Sequence, residues 1–158
     1  MKKIKKNIIL LMLTLLFSFG VEWIGGLLTR SSLSTWYITL KKPAWNPPNF
    51  VFPIVWTTLF GMIGVSFWLV LIHSKAYTFK VFLVFSIQMF LNVLWSYTFF
   101  YLQKPGLACV VTFFLLFAIY WNIRVFYLYS KLAGQLLFPY FIWVMFALSL
   151  NISIWLSN

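Results

Sequence analysis

Apolar residues along this chain come in long blocks, and the polar positions gather between the blocks. Five blocks are long enough to cross a bilayer as helices at 1.5 Å per residue: about 7–28, 51–73, 80–102, 105–127 and 133–156. Val51 to Ile72 and Val81 to Leu102 contain no charged residue at all, which makes them the plainest spans. Pro53 and Pro105 fall in the first turn of their helices, where the missing N–H has no intrahelical partner to lose. Pro139 falls several residues inside the fifth block and predicts either a bend that opens space beside Trp143 or the true start of that helix. The connections after the second, third and fourth spans are short and predict antiparallel neighbours, so the only long loop is 29–50.

This pattern predicts an all-α integral membrane protein, a five-transmembrane-helix bundle forming a single domain over 1–158. No internal repeat or low-complexity stretch divides it. Composition agrees: 63% of residues are hydrophobic and 8% charged, against about 25% charged in an average soluble domain. The basic opening Met1-Lys2-Lys3-Ile4-Lys5-Lys6 has the character of a secretory signal. No small-x-small cleavage site follows Phe19, however, and apolar character runs on past Glu22 to Leu28, so the first helix is expected to stay.

The formal charge of +11 does not point to nucleic acid, because the basic residues mark the ends of apolar blocks. Lys2, Lys3, Lys5, Lys6, Lys75, Lys80, Arg124 and Lys131 fall at one end, and Arg30, Lys41, Lys42 and Lys104 at the other. The positive-inside rule then puts the N-terminus in the cytoplasm and the C-terminus and long loop outside, in a membrane read as the bacterial cytoplasmic one.

Reactive side chains are scarce. One carboxylate, Glu22, one histidine, His73, and one cysteine, Cys109, exclude an intrachain carboxylate pair, a His-rich or cysteine-based metal site, a Ser-His-Asp triad and an internal disulfide. No cofactor is required by anything in the pattern. Glu22, near the outer end of the first span, is a functional candidate by its position in the membrane, or else an interfacial residue near Arg30. His73 reads as a boundary residue at the inner end of the second span.

The remaining chemistry is aromatic and amide. Gln88, Asn92, Trp95, Ser96 and Phe99 make one stripe of the third helix, and Trp143, Ala147, Leu150, Asn151 and Ile154 make one of the fifth. Trp56, Phe60, Gly64 and Phe67 make a stripe of the second, where Gly61 also allows close approach and the plain alternative is helix packing. Polar side chains are costly against lipid, so the third-helix stripe either bonds to neighbouring helices or lines a cavity. Counted from the outer ends, Trp56, Asn151 and Trp95 lie roughly 8–10 Å deep, Asn92 about 14 Å, and Trp143 nearer the middle. The long loop, with Trp36, Tyr37, Trp45 and its prolines, reads as a lid over that region or as part of an interfacial aromatic belt. An outward cavity walled by indoles and phenyls suits a flat, hydrophobic ligand. Arg30, Lys41 and Lys42 at its mouth suit that ligand's carboxylates or anionic lipid.

Trp36-Tyr37, Lys42-Pro43, Trp45, Pro47-Pro48, Pro53 and Val55-Trp56-Thr57 resemble the tryptophan-rich loop and second helix of the TspO/MBR family. Gln88 to Phe100 resembles its third helix, and Ala133 to Tyr140 with Trp143, Phe146-Ala147 and Leu150-Asn151 its fifth, so the resemblance covers about residues 20–158. It implies a homodimeric five-helix membrane protein that binds tetrapyrroles such as protoporphyrin IX or a haem-like porphyrin, for sensing, regulation or translocation. The positions matching the family's pocket are Trp56, Trp95 and Trp143, with Asn92 nearby, and together with the stripes and the loop they make the candidate ligand-binding residues Trp36, Trp45, Trp56, Phe60, Gln88, Asn92, Trp95, Phe99, Trp143, Ala147 and Asn151. Two alternatives follow from the same resemblance: light-dependent porphyrin degradation involving Trp56 and Trp143, and small-molecule transport. Two departures are visible: Val110-Val111 stand where an acidic residue is common in the fourth helix, and the chain's end lacks the tyrosine and basic residue of the animal cholesterol motif.

Overall fold

The computed structural model describes residues 2–74 and 79–158; Lys75, counted above among the end charges, lies outside the described residues. Its helices are α1 (Lys2–Leu33), α2 (Trp36–Thr39), α3 (Val51–His73), α4 (Phe79–Ser96, prolonged by a wider turn over Tyr97–Tyr101), α5 (Pro105–Tyr127), α6 (Lys131–Leu136) and α7 (Phe138–Ser157). Five of the resulting helical stretches are long and apolar enough to span a membrane: Ile4–Leu33, Val51–His73, Phe79–Tyr101, Pro105–Tyr127 and Lys131–Ser157. The protein is an integral, multi-pass membrane protein.

One expectation needs correction, and one open choice is decided. The first helix does not end near residue 28 but runs to Leu33, so the loop begins five residues later than read. Nothing in Thr29-Arg30-Ser31-Ser32 breaks a helix, and the hydroxyls of Thr29 and Ser31 bond back to the carbonyls of Gly25 and Leu28. Its 32 residues extend about 48 Å, well beyond a hydrocarbon layer of about 30 Å, so its charged ends reach the headgroup zones. The fifth span is not one helix. It breaks at Leu137, the N-cap of α7, with Pro139 in the first turn that follows. Of the two readings of Pro139, a bend or the true start of the helix, the start is what the structure has.

Around the bundle α1 meets α3, α3 meets α6, α6 and α7 meet α5, α5 meets α4, and α4 returns to α1, whereas α3 and α7 stand further apart and meet through large rings, Phe52 with Trp143 and Trp56 with Tyr140. With no hydrophobic drive between helices in lipid, close approach and buried hydrogen bonds hold these seams. Gly64 lets α3 lie against Leu15 and Ser18 of α1, and a Cβ there would come within 3.2 Å of the Leu15 Cα. Ser66 Oγ donates to the Ala133 carbonyl at 2.6 Å, fully buried, joining α3 to α6. Phe67 stacks on Phe85 at 3.9 Å and both face Phe126, filling the half of the bundle near the N-terminus.

At the other end, the loop is clasped to the chain's last residue. Asn158 Oδ1 accepts from the Lys41 N–H at 2.9 Å, and Asn158 Nδ2 donates to the Lys41 carbonyl at 3.1 Å. We call this the loop end.

Candidate functional site

The wider turn of α4 is where the site begins. Leu102 N–H donates to the Tyr97 carbonyl, five residues back, at 2.8 Å, and Lys104 N–H reaches the Thr98 carbonyl at 3.0 Å. Such π-type turns accommodate an extra residue and occur frequently at functional sites. Here the turn carries the adjacent Phe99 and Phe100 to the interior, their rings 4.8 Å apart and nearly perpendicular. Ser32 Oγ, at the end of α1, donates to the Phe100 carbonyl at 2.5 Å and fastens α1 to this turn.

Between α1, the first turns of α3, the loop-end half of α4 and the last turns of α7 lies a cavity of about 640 Å³, within the range of ligand pockets. Its wall is a run of aromatic rings. Trp56 and Trp95 face each other at 6.0 Å with a 34° tilt, Trp95 stacks on Phe99 at 5.8 Å, and Trp56 leans on Phe60 at 5.9 Å. The Trp95 indole nitrogen is buried without a protein partner.

Polar groups are few and lie at distinct levels. Asn92 Nδ2 donates to the hydroxyl of the fully buried Tyr140, and Asn151 Nδ2 donates to Thr112 Oγ1 at 3.2 Å, so each amide both lines the cavity and ties two helices together. Glu22, half-buried on α1, accepts from Thr57 Oγ1 at 2.6 Å. Through Thr57 it stands level with the second turn of α3, six residues or about 9 Å from that helix's start. Arg30, eight residues further, stands exposed on the cavity rim.

Of the residues proposed from sequence, Trp56, Phe60, Asn92, Trp95, Phe99 and Asn151 line this cavity, and Trp36, Trp45, Gln88, Trp143 and Ala147 do not. Gln88 lies one turn below Asn92, fully buried, where its Oε1 accepts from Asn122 Nδ2 of α5 at 2.7 Å. The stripe on α4 thus divides between packing and cavity. Trp143 packs against Phe52 at 6.1 Å and Phe146 at 5.3 Å, and Trp45 covers Phe146 from the loop, so these aromatics fill the space between α3 and α7. Trp36 sits edge-on to Phe99, behind the wall.

Other side chains join the site. From α1 come Phe19, Glu22, Gly25 and Arg30, and from the loop Tyr37. Gly25 matters for the seam with α4, since a Cβ there would stand 3.2 Å from Ser96 Oγ. Tyr37 carries Lys42 Nζ 4.2 Å above its ring. Burial pushes its hydroxyl above the ordinary tyrosine range, with the Asn46 side chain pulling the other way. Of the three loop-end cations expected at the mouth, only Arg30 lines the cavity, while Lys42 is spent on Tyr37 and Lys41 is anchored to Asn158 through its backbone. His73 Nδ1 bonds to the Leu69 carbonyl at 2.8 Å, within its own last turn.

Comparison with known proteins gives a consistent result. The profile of the TspO/MBR family matches residues 12–156. The chain is 36% identical over 152 residues to the tryptophan-rich protein TspO of Archaeoglobus fulgidus, covering 96% of this chain and 99% of that one. It is 39% identical over 153 residues to the protein of the same name from Chlorobaculum tepidum, covering 94% and 96%. It is also 33% identical over 126 residues to the translocator protein of Homo sapiens, covering 78% and 75%.

Proposed function

The chain belongs to the TspO/MBR family, and from that premise we propose that it binds a tetrapyrrole, of the protoporphyrin or haem-like class, in the cavity beneath its loop. The observation that carries the reading is the tilted pair of Trp56 and Trp95 inside a cavity of about 640 Å³ with a cation, Arg30, on its rim. A flat macrocycle gains most from broad aromatic surfaces, at about 0.5–1.5 kcal/mol per ring pair beyond the area it buries. Carboxylates on its edge then meet the guanidinium in a charge-assisted, bidentate hydrogen bond. Binding is the step that sensing, regulation and translocation all require. The loop end faces outward in this reading, because the larger share of the lysines and arginines marks the opposite end.

The test is quenching of tryptophan fluorescence by protoporphyrin in the dark, in detergent, for the wild type and for Trp95→Phe, Arg30→Gln and Trp143→Phe. Saturable quenching at micromolar concentration, about −8 kcal/mol, weakened by the first two changes and not by the third, is the expected result. Unsaturable quenching indifferent to all three means that the porphyrin is dissolving in the micelle, and the reading falls.

A further inference from the structure

We propose that Glu22 makes the cavity a site for a second class of ligand: a flat, hydrophobic molecule bearing a cationic nitrogen. Glu22 is the chain's only acidic side chain. It lines the cavity together with Trp56, Trp95 and Phe60, and among the described residues a single hydroxyl, that of Thr57, donates to it. A carboxylate has about four acceptor positions, so one hydroxyl leaves most of its hydrogen-bonding capacity unused. Arg30 does not fill it: eight residues along α1 set the two about 12 Å apart on the helix axis, and Arg30 is exposed on the rim.

A carboxylate beside indole faces is the combination that recognises organic cations. The negative faces of the rings attract the delocalised charge, and the carboxylate takes its N–H in a charge-assisted hydrogen bond. The apolar remainder of the wall demands that the rest of the molecule be hydrophobic, and the tilted pair Trp56–Trp95 favours a flat one. This inference stands on the cavity and Glu22 alone, whether or not a porphyrin binds there.

The experiment compares 9-aminoacridine, a planar cation at neutral pH, with acridine, its neutral counterpart, by fluorescence titration of the purified protein in a non-ionic detergent. The wild type is expected to bind the cation roughly tenfold more tightly than the neutral ring. Glu22→Gln keeps an oxygen for the Thr57 hydroxyl and loses only the charge, and it is expected to bind the two probes alike. Glu22→Asp keeps the charge and is expected to retain a preference for the cation. A wild type without saturable binding of 9-aminoacridine overturns the proposal, as does a preference that survives intact in Glu22→Gln. Either outcome is independent of the protoporphyrin titration, so the two readings fail separately.

Discussion

Replacing Gln88 by methionine removes the oxygen to which Asn122 donates and leaves the Asn122 amide buried with no partner at all. Both residues are fully buried on the α4–α5 seam, and the bond between them is 2.7 Å long. Hydrogen bonds between membrane helices contribute on average about 0.6 kcal/mol and at most about 1.7, whereas a stranded buried amide costs about 1–3 kcal/mol. Gln88→Met and Asn122→Leu should therefore each destabilise by about 2 kcal/mol. In the wild type Gln88 Nε2 and Asn122 Oδ1 already lack protein partners, so removing both amides strips out every cost along with the one bond. The double variant should lie within about 0.5 kcal/mol of wild type, and the pair should be coupled by roughly 4 kcal/mol, nearly the sum of the two single losses. Unfolding in mixed micelles with increasing dodecyl sulfate, followed by circular dichroism, measures all four corners of the cycle. Additive losses would refute the reasoning, because they would mean that the two amides do not depend on each other. Protoporphyrin titration of Gln88→Met separates packing from binding: an unchanged affinity is expected, since Gln88 sits below the cavity rather than on its wall.

Gly64→Val should destabilise by about 1–3 kcal/mol through overpacking, because the new side chain meets the Leu15 backbone of α1. Gly20→Ala, with open space around it, should change stability by less than about 0.5 kcal/mol in the same unfolding assay. Asn158→Ala breaks both bonds to Lys41, and limited proteolysis should cut within residues 34–50 several times faster while the midpoint of thermal unfolding stays put. Tyr37 has a hydroxyl pKa raised by burial, so the contribution of its neutral form is fully present below the unfolded value of about 10 and is lost as pH rises toward the folded one. Loop proteolysis should accelerate above about pH 10 in the wild type, and Tyr37→Phe should remove that step.

The parts of the fold most legible in the sequence are those fixed by uninterrupted apolarity and by proline. Val51–His73 and Pro105–Tyr127 have the bounds the sequence suggests, because proline opens each and polar residues close it. The end of α1 was not legible, since Thr29 to Ser32 are polar without being helix breakers and their hydroxyls turn back onto the helix. In the site, periodicity finds the aromatic faces of α3 and α4 but cannot say how far along a stripe the cavity extends. Gln88 and Asn92 share a face and differ only in what α5 and α7 present to them. The α1 wall escapes an amphipathic reading because that helix is apolar nearly all round. Its signal is the helical spacing of Phe19, Glu22, Gly25 and Arg30, in which small and charged residues stand out rather than hydrophobic ones. Trp143 and Ala147 share a stripe with Asn151, yet the Trp143 ring turns into the seam with Phe52, which only the three-dimensional offset between α3 and α7 determines.

The wider turn at Tyr97–Tyr101 also bears on which changes of chain length the protein tolerates. Within a regular transmembrane helix, loss of one residue rotates everything beyond it by about 100° and shifts it by about 1.5 Å, scrambling which side chains meet lipid and which meet neighbours. A π-type turn already holds one residue more than regular winding needs. Deleting a residue there lets the helix relax to ordinary winding while Gln103 and the start of α5 keep their place. The local result is a single displaced ring, Phe99 or Phe100, so a one-residue deletion at this turn reshapes the cavity without rebuilding the bundle.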